Sequence, residues 1–320
     1  MDFRDKKILV AGGTGLVGAN LAKRLASLEA KVRATWHKRG PHKEILLPNV
    51  EIVHCDLTKP EDCEGVVEGM DYVFMCAANT SGAGIITKTP LVHVTPNVLM
   101  NTLMLEAAYR AKVKKFIFIS TTVGYPPSGD KPVWEEEMFN GDPYEDYFFV
   151  GWMKRFTEKL CQMYCEKLKE PMMTIVLRGS NFYGPHANFG PEESHVVAAL
   201  IRKVVERHDP IEVWGTGDDV RDLIYIDDFV DAMLLVLLMP FQCSPYSINN
   251  RNLRLVKQIL QTILDIEGYH PRIVFNPSKP STMPKRYVDT SKAEAILGFK
   301  AKTPLREGIR KTIQWYRENG

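Results

Sequence analysis

The sequence has 320 residues, of which 45% are hydrophobic and 25% charged, and its 41 basic and 39 acidic residues give a formal net charge of +2 at pH 7. This is the composition of an ordinary globular protein, so it excludes a disordered tail, a collagen-like rod and a disulfide-rich scaffold. The near-neutral balance also argues against a nucleic-acid-binding protein, which usually carries a strong basic excess.

The first half of the chain alternates short apolar strands with longer helical patterns. The predicted strands are 8–11, 32–35, 50–55, 72–77, 116–120 and 174–177. The predicted helices, in which apolar residues recur at intervals of three and four, are 16–28, 97–111 and 151–168. Such an alternation predicts an α/β fold of the Rossmann type, a doubly wound parallel sheet with helices on both faces.

After about residue 180 the pattern becomes less regular. Proline and glycine cluster at 184–185, 190–191 and 215–217, and helical patterns follow at 194–207, 227–239, 253–266 and 304–317. We therefore divide the chain into a core domain over residues 1–180 and a smaller C-terminal region over residues 181–320, interleaved with late elements of the core.

Neither a membrane segment nor a secretory signal is predicted. The longest strongly apolar run, 233–239, is too short to cross a bilayer, and the N-terminus enters an apolar strand without a small-residue cleavage site. The six cysteines contain no Cys-x-x-Cys pair. We expect them to be reduced thiols in a cytoplasmic protein, and we predict no metal site.

A glycine-rich turn joins the first strand to the first helix. Its candidate ligand contacts are Gly12, Thr14, Gly15, Leu16, Val17 and Gly18. Gly12 permits the tight turn, Gly15 leaves room for a pyrophosphate, and Gly18 lets the helix lie close to the strand. The helix N-terminus adds unpaired N–H groups and partial positive charge. A glycine-rich string alone is a weak signal, but between strand and helix it predicts dinucleotide binding by residues 1–180.

The residues after the second strand indicate which dinucleotide binds. An NAD site usually places Asp or Glu here to bind the ribose 2′-hydroxyl, whereas this chain has Trp36-His37-Lys38-Arg39. Lys38 and Arg39 are suited to pair with a 2′-phosphate, although an exposed basic loop is the alternative. The sequence therefore favours NADP, with NAD as the second choice.

These motifs resemble those of the extended short-chain dehydrogenases/reductases that modify nucleotide sugars, over nearly the whole chain. The matching strings are Gly12–Gly18, Asp56-Leu57, Ala77-Ala78, Asn97-x-x-x-Asn101-Thr102, Arg178-x-x-Asn181-x-Tyr183-Gly184-Pro185 and Arg221-Asp222-x-Ile224-Tyr225-x-Asp227-Asp228. Within this family the chain is most similar to the GDP-L-fucose synthases, in the strings 181–189, 194–196, 213–217 and 314–319. Asp56 and Leu57 are placed to meet the adenine, and the resemblance implies that Ala77 and Ala78 also contact the cofactor.

The family transfers hydride to or from nicotinamide while a Tyr phenol exchanges a proton with the sugar. A Lys four residues after the Tyr holds the ribose and lowers the phenol pKa. Lys154 matches this Lys and Thr121 matches the neighbouring Ser or Thr, but Val150 stands at the Tyr position. A Cys that acts with a His in GDP-L-fucose synthases is also replaced, by Val123, whereas His195 matches the His.

Two side chains remain as candidate proton carriers. His195 is favoured because the ordinary pKa of histidine lies near neutrality; a histidine at a helix N-terminus that only hydrogen-bonds the substrate is the alternative. Tyr147 lies three residues before Val150 and more simply forms part of a pocket wall. Because the Tyr and the Cys are both missing, GDP-L-fucose synthase activity is not assigned.

The resemblance also implies a set of substrate-binding residues. These are Thr122, Asn181, Arg202, Lys203, Trp214, Arg221 and Arg286. A guanidinium can bind a phosphate through two parallel hydrogen bonds, and Arg221 is the strongest candidate because its motif is intact. Trp214 either stacks on a ring of the ligand or packs in the core.

Taken with the resemblance, the sequence predicts a cytoplasmic NAD(P)-dependent enzyme that modifies a nucleotide sugar, with a GDP-sugar favoured, by epimerisation, dehydration or 4-keto reduction. Residues 181–320 would bind the substrate. A protein that binds NAD(P) and a sugar nucleotide without turnover is the alternative, because Val150 and Val123 interrupt the proton relay. The resemblance implies a homodimer formed through helices 97–111 and 151–168, and neither a nucleic acid nor a membrane is expected as a partner.

Overall fold

The computed structural model describes residues 3–80, 89–191, 193–240, 243–279, 283 and 285–320. Its strands are β1 (Lys7–Ala11), β2 (Lys31–Trp36), β3 (Val50–His54), β4 (Tyr72–Met75), β5 (Lys115–Thr121), β6 (Met173–Gly179), β7 (Asn181–Tyr183), β8 (Ile211–Trp214), β9 (Val220–Tyr225), β10 (Ser244–Ile248), β11 (Leu253–Leu255) and β12 (Ile273–Asn276). Its α-helices are α1 (Leu16–Ser27), α2 (Pro60–Val67), α3 (Pro90–Arg110), α4 (Phe148–Glu166), α5 (Val196–Val205), α6 (Ile226–Leu238), α7 (Val256–Glu267) and α8 (Leu305–Asn319).

Seven strands form one parallel sheet in the order β10-β6-β5-β4-β1-β2-β3. The strand order reverses between β1 and β4, and ligands of such sheets bind in the crevice at the carboxyl ends of the strands at this point. The predicted Rossmann-type doubly wound sheet is confirmed. Strand β10 joins this sheet although it follows residue 180, so the C-terminal region completes the core sheet.

Alternate side chains of the strands pack into two separate layers. In β1, Ile8 and Val10 contact the layer that includes α1, α5, α6, α7 and α8, while Leu9 and Ala11 contact the layer of α2, α3 and α4. All four side chains are fully buried. A strand covered on both faces reads as a continuous apolar run, which is why the sequence signal for this sheet is strong.

The C-terminal region adds two small sheets beside the carboxyl ends of the core strands. One contains β11, β9 and β7, and the other pairs β12 with β8 in parallel. Helices α5, α7 and α8 pack around them, close to the predicted helical ranges. The short strands were not predicted, because segments of three or four residues give little periodicity.

Two helices begin earlier than the sequence predicts. Helix α3 begins at Pro90 rather than at residue 97 and carries Pro96 inside it, a position that normally interrupts a helix. Helix α4 begins at Phe148 rather than at residue 151, directly after a single 3₁₀ turn over Glu145–Tyr147. Val150 therefore lies in the first turn of α4.

The cysteines depart from expectation at one pair. Cys165 and Cys243, whose Cα atoms lie 6.1 Å apart, form a disulfide. The expectation of six reduced thiols is therefore wrong for this pair, because folding brings the end of α4 beside the start of β10; Cys55, Cys63, Cys76 and Cys161 are free. Among the described residues, no helix is long and apolar enough to span a membrane, and no group of three His, Cys, Asp or Glu side chains could hold a metal ion.

Candidate active site

The glycine-rich turn has the shape that its sequence predicts. Gly12 has a φ of +78°, and a Cβ added there would lie 2.6 Å from the Cα and N atoms of Ala77. A Cβ on Gly18 would lie 2.1 Å from the Gly12 carbonyl oxygen, whereas one on Gly15 would meet only that oxygen, at 3.6 Å. The turn is therefore packed at Gly12 and Gly18 and open at Gly15, where a pyrophosphate would approach the backbone.

Helix α1 begins at this opening with free N–H groups. Gly15 is its N-cap, no side chain caps it, and its first turn carries no acidic residue. A helix N-terminus of this kind favours an anion. Leu16 and Val17 occupy the first turn and pack on the core, so the turn and the helix end fit the phosphates of a dinucleotide.

Two residues that sequence analysis did not single out fix the turn. The Thr35 hydroxyl oxygen accepts a hydrogen bond from the Gly12 N–H at 2.9 Å, and the Thr35 carbonyl accepts one from the Gly13 N–H at 2.8 Å. A Cβ on Gly13 would lie 2.6 Å from the Ala34 Cβ. Small and hydroxyl residues in β2 give no periodic signal. Their position in the strand next to β1, which the glycine turn follows, could have indicated Ala34 and Thr35 as its neighbours.

The predicted 2′-phosphate loop is tied to the turn and to the C-terminal region. The Thr14 hydroxyl donates to the Arg39 carbonyl at 2.9 Å, and the Arg39 guanidinium donates to the His186 carbonyl at 3.1 Å. Lys38 is exposed. Arg39 is thereby held beside the glycine turn, while Lys38 extends into solvent.

The carboxyl ends of β2 and β3 bring aromatic rings beside a carboxylate. The Trp36 ring lies 4.4 Å from the His54 ring, and the His37 imidazole lies 4.0 Å from the Asp56 carboxylate. Hydrogen bonds from the Thr58 hydroxyl and N–H lower the pKa of Asp56, so it remains ionised at neutral pH.

The other predicted cofactor contacts lie along the same edge of the sheet. Leu57 follows β3 and is buried, and Ala77 and Ala78 follow β4. Because β1, β2, β3 and β4 are adjacent and parallel, the structure brings the candidate cofactor residues from their carboxyl ends into one crevice.

Lys154 reaches β5 two residues before Thr121. Thr121 is the last residue of this strand, and its hydroxyl accepts a hydrogen bond from the Val123 N–H at 3.3 Å. The Lys154 ammonium donates to the Ile119 carbonyl at 2.9 Å and lies 4.6 Å from the centre of the Phe118 ring. Burial lowers the pKa of Lys154 from 10.5 to about 8. A lysine in this state can hold a ribose or exchange a proton near neutral pH.

The two valines stand where proton-carrying groups are expected. Val150 is one helical turn before Lys154 on α4, so the two side chains share a helix face. Val123 lies in the short 3₁₀ turn Thr122–Gly124 and is half-buried, as is Val150. Tyr147 ends the preceding turn and interacts electrostatically with Arg286.

His195 lies at the N-cap of α5. The residue is exposed at the surface, and desolvation by the neighbouring protein lowers the pKa of its ring below the ordinary 6.5. The imidazole is therefore neutral at pH 7 and able to accept a proton. The adjacent Ser194 hydroxyl is buried and has no hydrogen-bond partner among the described residues, so it is an additional candidate for a ligand contact.

Two predicted substrate arginines converge on one residue. Arg221 donates to the Met283 carbonyl at 3.1 Å, and the Arg286 guanidinium contacts the Met283 sulfur. Arg286 also donates to the carbonyls of Thr122 and Tyr125, the latter at 3.0 Å. Burial lowers the pKa of Arg286 to about 10. Arg286 thus lies beside the loop that follows Thr121, and Met283 connects it to Arg221.

The remaining predicted substrate residues line the C-terminal region. Asn181 donates to the Asp222 carbonyl at 3.3 Å, and the Lys203 ammonium donates to the Glu212 carbonyl at 2.6 Å. Arg202 lies 3.5 Å from Glu206, and its buried Nε atom has no partner among the described residues. Trp214 is 41% exposed at the end of β8, which favours a ligand contact over a core role. The hydrogen bond from Lys203 supports β8 and leaves two further N–H donors of the ammonium for a ligand.

A buried ion pair supports the site from behind. Glu158, one turn after Lys154, accepts from the Ser120 hydroxyl at 2.5 Å and from Arg178 at 2.6 Å. Arg178 also donates to the Tyr125 hydroxyl at 2.9 Å. The two charged side chains are 5% and 2% exposed, so this network fixes α4 against β5 and β6. Sequence analysis did not assign Glu158 a role.

Comparisons with known proteins agree with this geometry. Residues 8–249 match the model of the NAD dependent epimerase/dehydratase family, which is more than half of the chain. The chain is 29% identical to probable GDP-L-fucose synthase 1 of Oryza sativa subsp. japonica, over 98% of this chain and 92% of that protein. It is 25% identical to the GDP-L-fucose synthase of Escherichia coli strain K12, over 98% and 97%.

Solved structures of nucleotide-sugar enzymes share this fold. The UDP-glucose 4-epimerase of Thermotoga maritima superposes with a TM-score of 0.87 at 27% identity, covering 97% of this chain and 98% of that one. A GDP-L-fucose synthetase from Naegleria fowleri superposes with a TM-score of 0.81 at 25% identity, covering 99% and 94%. With its parallel sheet and open glycine turn, the chain belongs to the NAD dependent epimerase/dehydratase family.

Proposed function

We propose that this protein is an NAD(P)-dependent enzyme that modifies a nucleotide sugar, with a GDP-sugar favoured, through epimerisation, dehydration or 4-keto reduction. The observation that carries the proposal is that Lys154 binds the Ile119 carbonyl of β5, two residues before Thr121, while the open glycine turn follows β1 in the same parallel sheet. The similarity to GDP-L-fucose synthases supports the GDP-sugar. The missing Tyr and Cys leave the reaction type open among the three.

The cofactor region fits a dinucleotide. The open side of Gly15 and the uncapped N-terminus of α1 would hold the pyrophosphate. When bound, the nicotinamide supplies a hydride acceptor or donor. Lys154 would hold the nicotinamide ribose from the face of α4, and Thr121 would hydrogen-bond the reacting oxygen of the sugar.

The proton would travel through a group other than the usual phenol. His195 is the preferred carrier because its neutral imidazole can accept a proton at pH 7. Tyr147 is the second candidate, and its electrostatic interaction with Arg286 is also what a pocket wall would show. We expect Tyr147→Phe to lower turnover less than about tenfold, and His195→Ala to lower it at least about a hundredfold.

The substrate diphosphate would bind between the C-terminal region and the loop after Thr121. Arg286 lies beside this loop, Arg221 meets it at Met283, and Arg202 has a buried Nε atom without a partner among the described residues. Thr122, Asn181 and Lys203 would contribute from the walls, and Trp214 would stack on a ring of the substrate.

NADP is the proposed cofactor, with NAD as the alternative. Arg39 is held beside the glycine turn. The segment 36–39 lacks the Asp or Glu that an NAD site usually places there. Replacing both as Lys38→Ala with Arg39→Ala should reduce the preference for NADP over NAD by about 1–3 kcal/mol, because charge-assisted hydrogen bonds are lost. Tighter binding of NAD than of NADP by the wild type would contradict the proposal.

We also propose a homodimer of cytoplasmic location. Helices α3 and α4 expose large apolar side chains to solvent: Leu99 at 44%, Phe149 at 60%, Trp152 at 42%, Phe156 at 49% and Met163 at 37%. Pairing of these helices across a two-fold axis would cover them. A monomer by light scattering at micromolar concentration would contradict this assembly.

The function is tested by incubating the purified protein with GDP- and UDP-sugars and each nicotinamide cofactor. Absorbance at 340 nm and mass spectrometry of the sugar products would be followed. The proposal predicts conversion of at least one GDP-sugar. Binding of both ligands without conversion across the panel would favour the binding protein.

A further inference from the structure

Two of the strings that resemble GDP-L-fucose synthases meet in space, at a distance from the proposed reaction centre. They are residues 181–189, which precede α5, and residues 314–319, which end α8. The Phe189 ring stacks on Tyr316 at 4.4 Å, and the His186 ring lies 4.8 Å from Trp315. Neither contact involves a residue to which the proposed chemistry assigns a role, so the pairing needs another explanation.

His186 is held unusually tightly for a loop residue. It is 1% exposed and has a φ of +64°, a conformation that residues other than glycine seldom adopt. Its ring also lies edge-on to His42 at 5.3 Å, and its Nε2 atom lies 3.6 Å from the Glu44 carboxylate without a hydrogen-bond partner among the described residues. Burial lowers the pKa of His186 to about 4. The ring is therefore neutral. Because the side chain is buried and the backbone has a positive φ, the carbonyl of His186 is held in one direction.

Glu44 connects this histidine to both ends of the chain. It accepts a hydrogen bond from the Trp315 indole N–H at 2.8 Å and forms an ion pair with Lys23 of α1 at 2.6 Å. The neighbouring Pro185 carbonyl accepts from Asn20, also in α1, at 3.0 Å. The loop around His186 is thus clamped between α1, the 3₁₀ turn at Glu44 and α8.

The fixed carbonyl of His186 is the acceptor for Arg39. The Arg39 guanidinium donates to it at 3.1 Å, and the Arg39 carbonyl in turn accepts from Thr14 of the glycine turn at 2.9 Å. A guanidinium is planar and has five N–H donors, so one that binds a backbone carbonyl still presents a fork of donors to a second anion. The contacts therefore run from Trp315 through Glu44 and His186 to the side chain proposed to bind the 2′-phosphate.

We propose that His186, fixed by Glu44 and Trp315, is a positioning residue that aims Arg39 at the 2′-phosphate of the cofactor, so that helix α8 sets the preference for NADP. The inference rests on the proposed cofactor choice. It explains why two distant strings come together beside the cofactor loop. If they served only to pack the core, their loss would weaken every adenosine ligand to the same degree.

The test is isothermal titration of the full chain with two cofactor fragments, 2′,5′-ADP and 5′-AMP, which differ in the 2′-phosphate. His186→Asn keeps a residue that tolerates positive φ, and it should weaken 2′,5′-ADP about tenfold while changing 5′-AMP less than about twofold. Trp315→Phe retains a ring and removes the N–H donor to Glu44, and it should give a smaller selective loss, about threefold. Trp134→Phe, an exposed tryptophan elsewhere, is the matched control and should change neither affinity.

The outcomes separate the inference from the proposal on which it rests. Equal binding of both fragments by the wild type would overturn the NADP preference and this inference together. A preference that is lost in Arg39→Ala but kept in both His186→Asn and Trp315→Phe would overturn the inference alone. Equal weakening of the two fragments in these variants would assign the cluster to packing and would also overturn it.

Discussion

Replacing Lys154 with methionine should abolish most turnover and at the same time stabilise the fold. The half-buried Lys154 ammonium lies between α4 and β5, where desolvation lowers its pKa from 10.5 to about 8. A difference of that size corresponds to about 3 kcal/mol that the folded protein loses at neutral pH by keeping the charge buried. Methionine has a similar shape and can pack on the Phe118 ring.

The gain is smaller than the full desolvation cost. Lys154→Met also removes the hydrogen bond to the Ile119 carbonyl, which costs about 1 kcal/mol. We therefore expect the free energy of unfolding to rise by about 2 kcal/mol at pH 7. Turnover should fall at least about a hundredfold, since the group that holds the ribose is gone.

The pH dependence gives the sharper test. Between about pH 8 and 10.5 the unfolded chain keeps the Lys154 proton that the folded chain has released. The unfolded state then binds more protons, so the stability of the wild type rises with pH over this range, and the advantage of Lys154→Met should shrink. Below pH 8 both states are protonated and the advantage is complete.

Urea unfolding at pH 7 and pH 9.5 measures both effects. Lys159→Met, an exposed lysine on the same helix, is the control and should change stability by less than about 0.5 kcal/mol at either pH. The reasoning is wrong if Lys154→Met is less stable than the wild type at pH 7, or if its advantage does not change with pH.

Four further changes test other parts of the site. Gly15→Asp should abolish dinucleotide binding by filling the open side of the turn with a negative charge, and unchanged affinity in a folded variant would refute this. His195→Ala should lower turnover at least about a hundredfold; turnover within about threefold of the wild type would exclude it as the proton carrier. Val150→Tyr restores a phenol on the lysine face of α4 and should keep or raise reductase activity, so a large loss would show that the pocket cannot hold the ring. Glu158→Gln leaves a buried arginine without its counter-ion and should lower the free energy of unfolding by about 3–5 kcal/mol, whereas a loss below about 1 kcal/mol would contradict a structural ion pair.

The sheet and the glycine turn could be predicted because their signals are local. β1 is a continuous apolar run between two helical layers, and the turn that follows places three glycines at fixed spacing. The position of Lys154 relative to Val150 also follows from helix geometry alone. Helix α3 was predicted to begin too late because Pro96 normally interrupts a helix.

What sequence analysis could not supply are contacts between distant segments. Arg286 reaches the Thr122 carbonyl across 164 positions, and Arg221 reaches the Met283 carbonyl across 62. No periodic pattern encodes such a meeting. Trp315 belongs to the string 314–319, which resembles the GDP-L-fucose synthases, but only the fold places it beside His186.

Hydride transfer is tested most directly by a single-turnover measurement of absorbance at 340 nm, with the enzyme in excess over a GDP-sugar. All three proposed reactions pass a hydride through nicotinamide, so each one changes the oxidation state of the cofactor at least transiently. We expect the absorbance of the wild type to change, transiently or lastingly, with the sugar nucleotide and not with GDP alone. The absorbance of the Gly15→Asp variant should not change. If cofactor and sugar nucleotide both bind to the wild type but the absorbance stays constant with every GDP- and UDP-sugar, the crevice holds its ligands without hydride transfer. The proposed enzymatic function is then wrong.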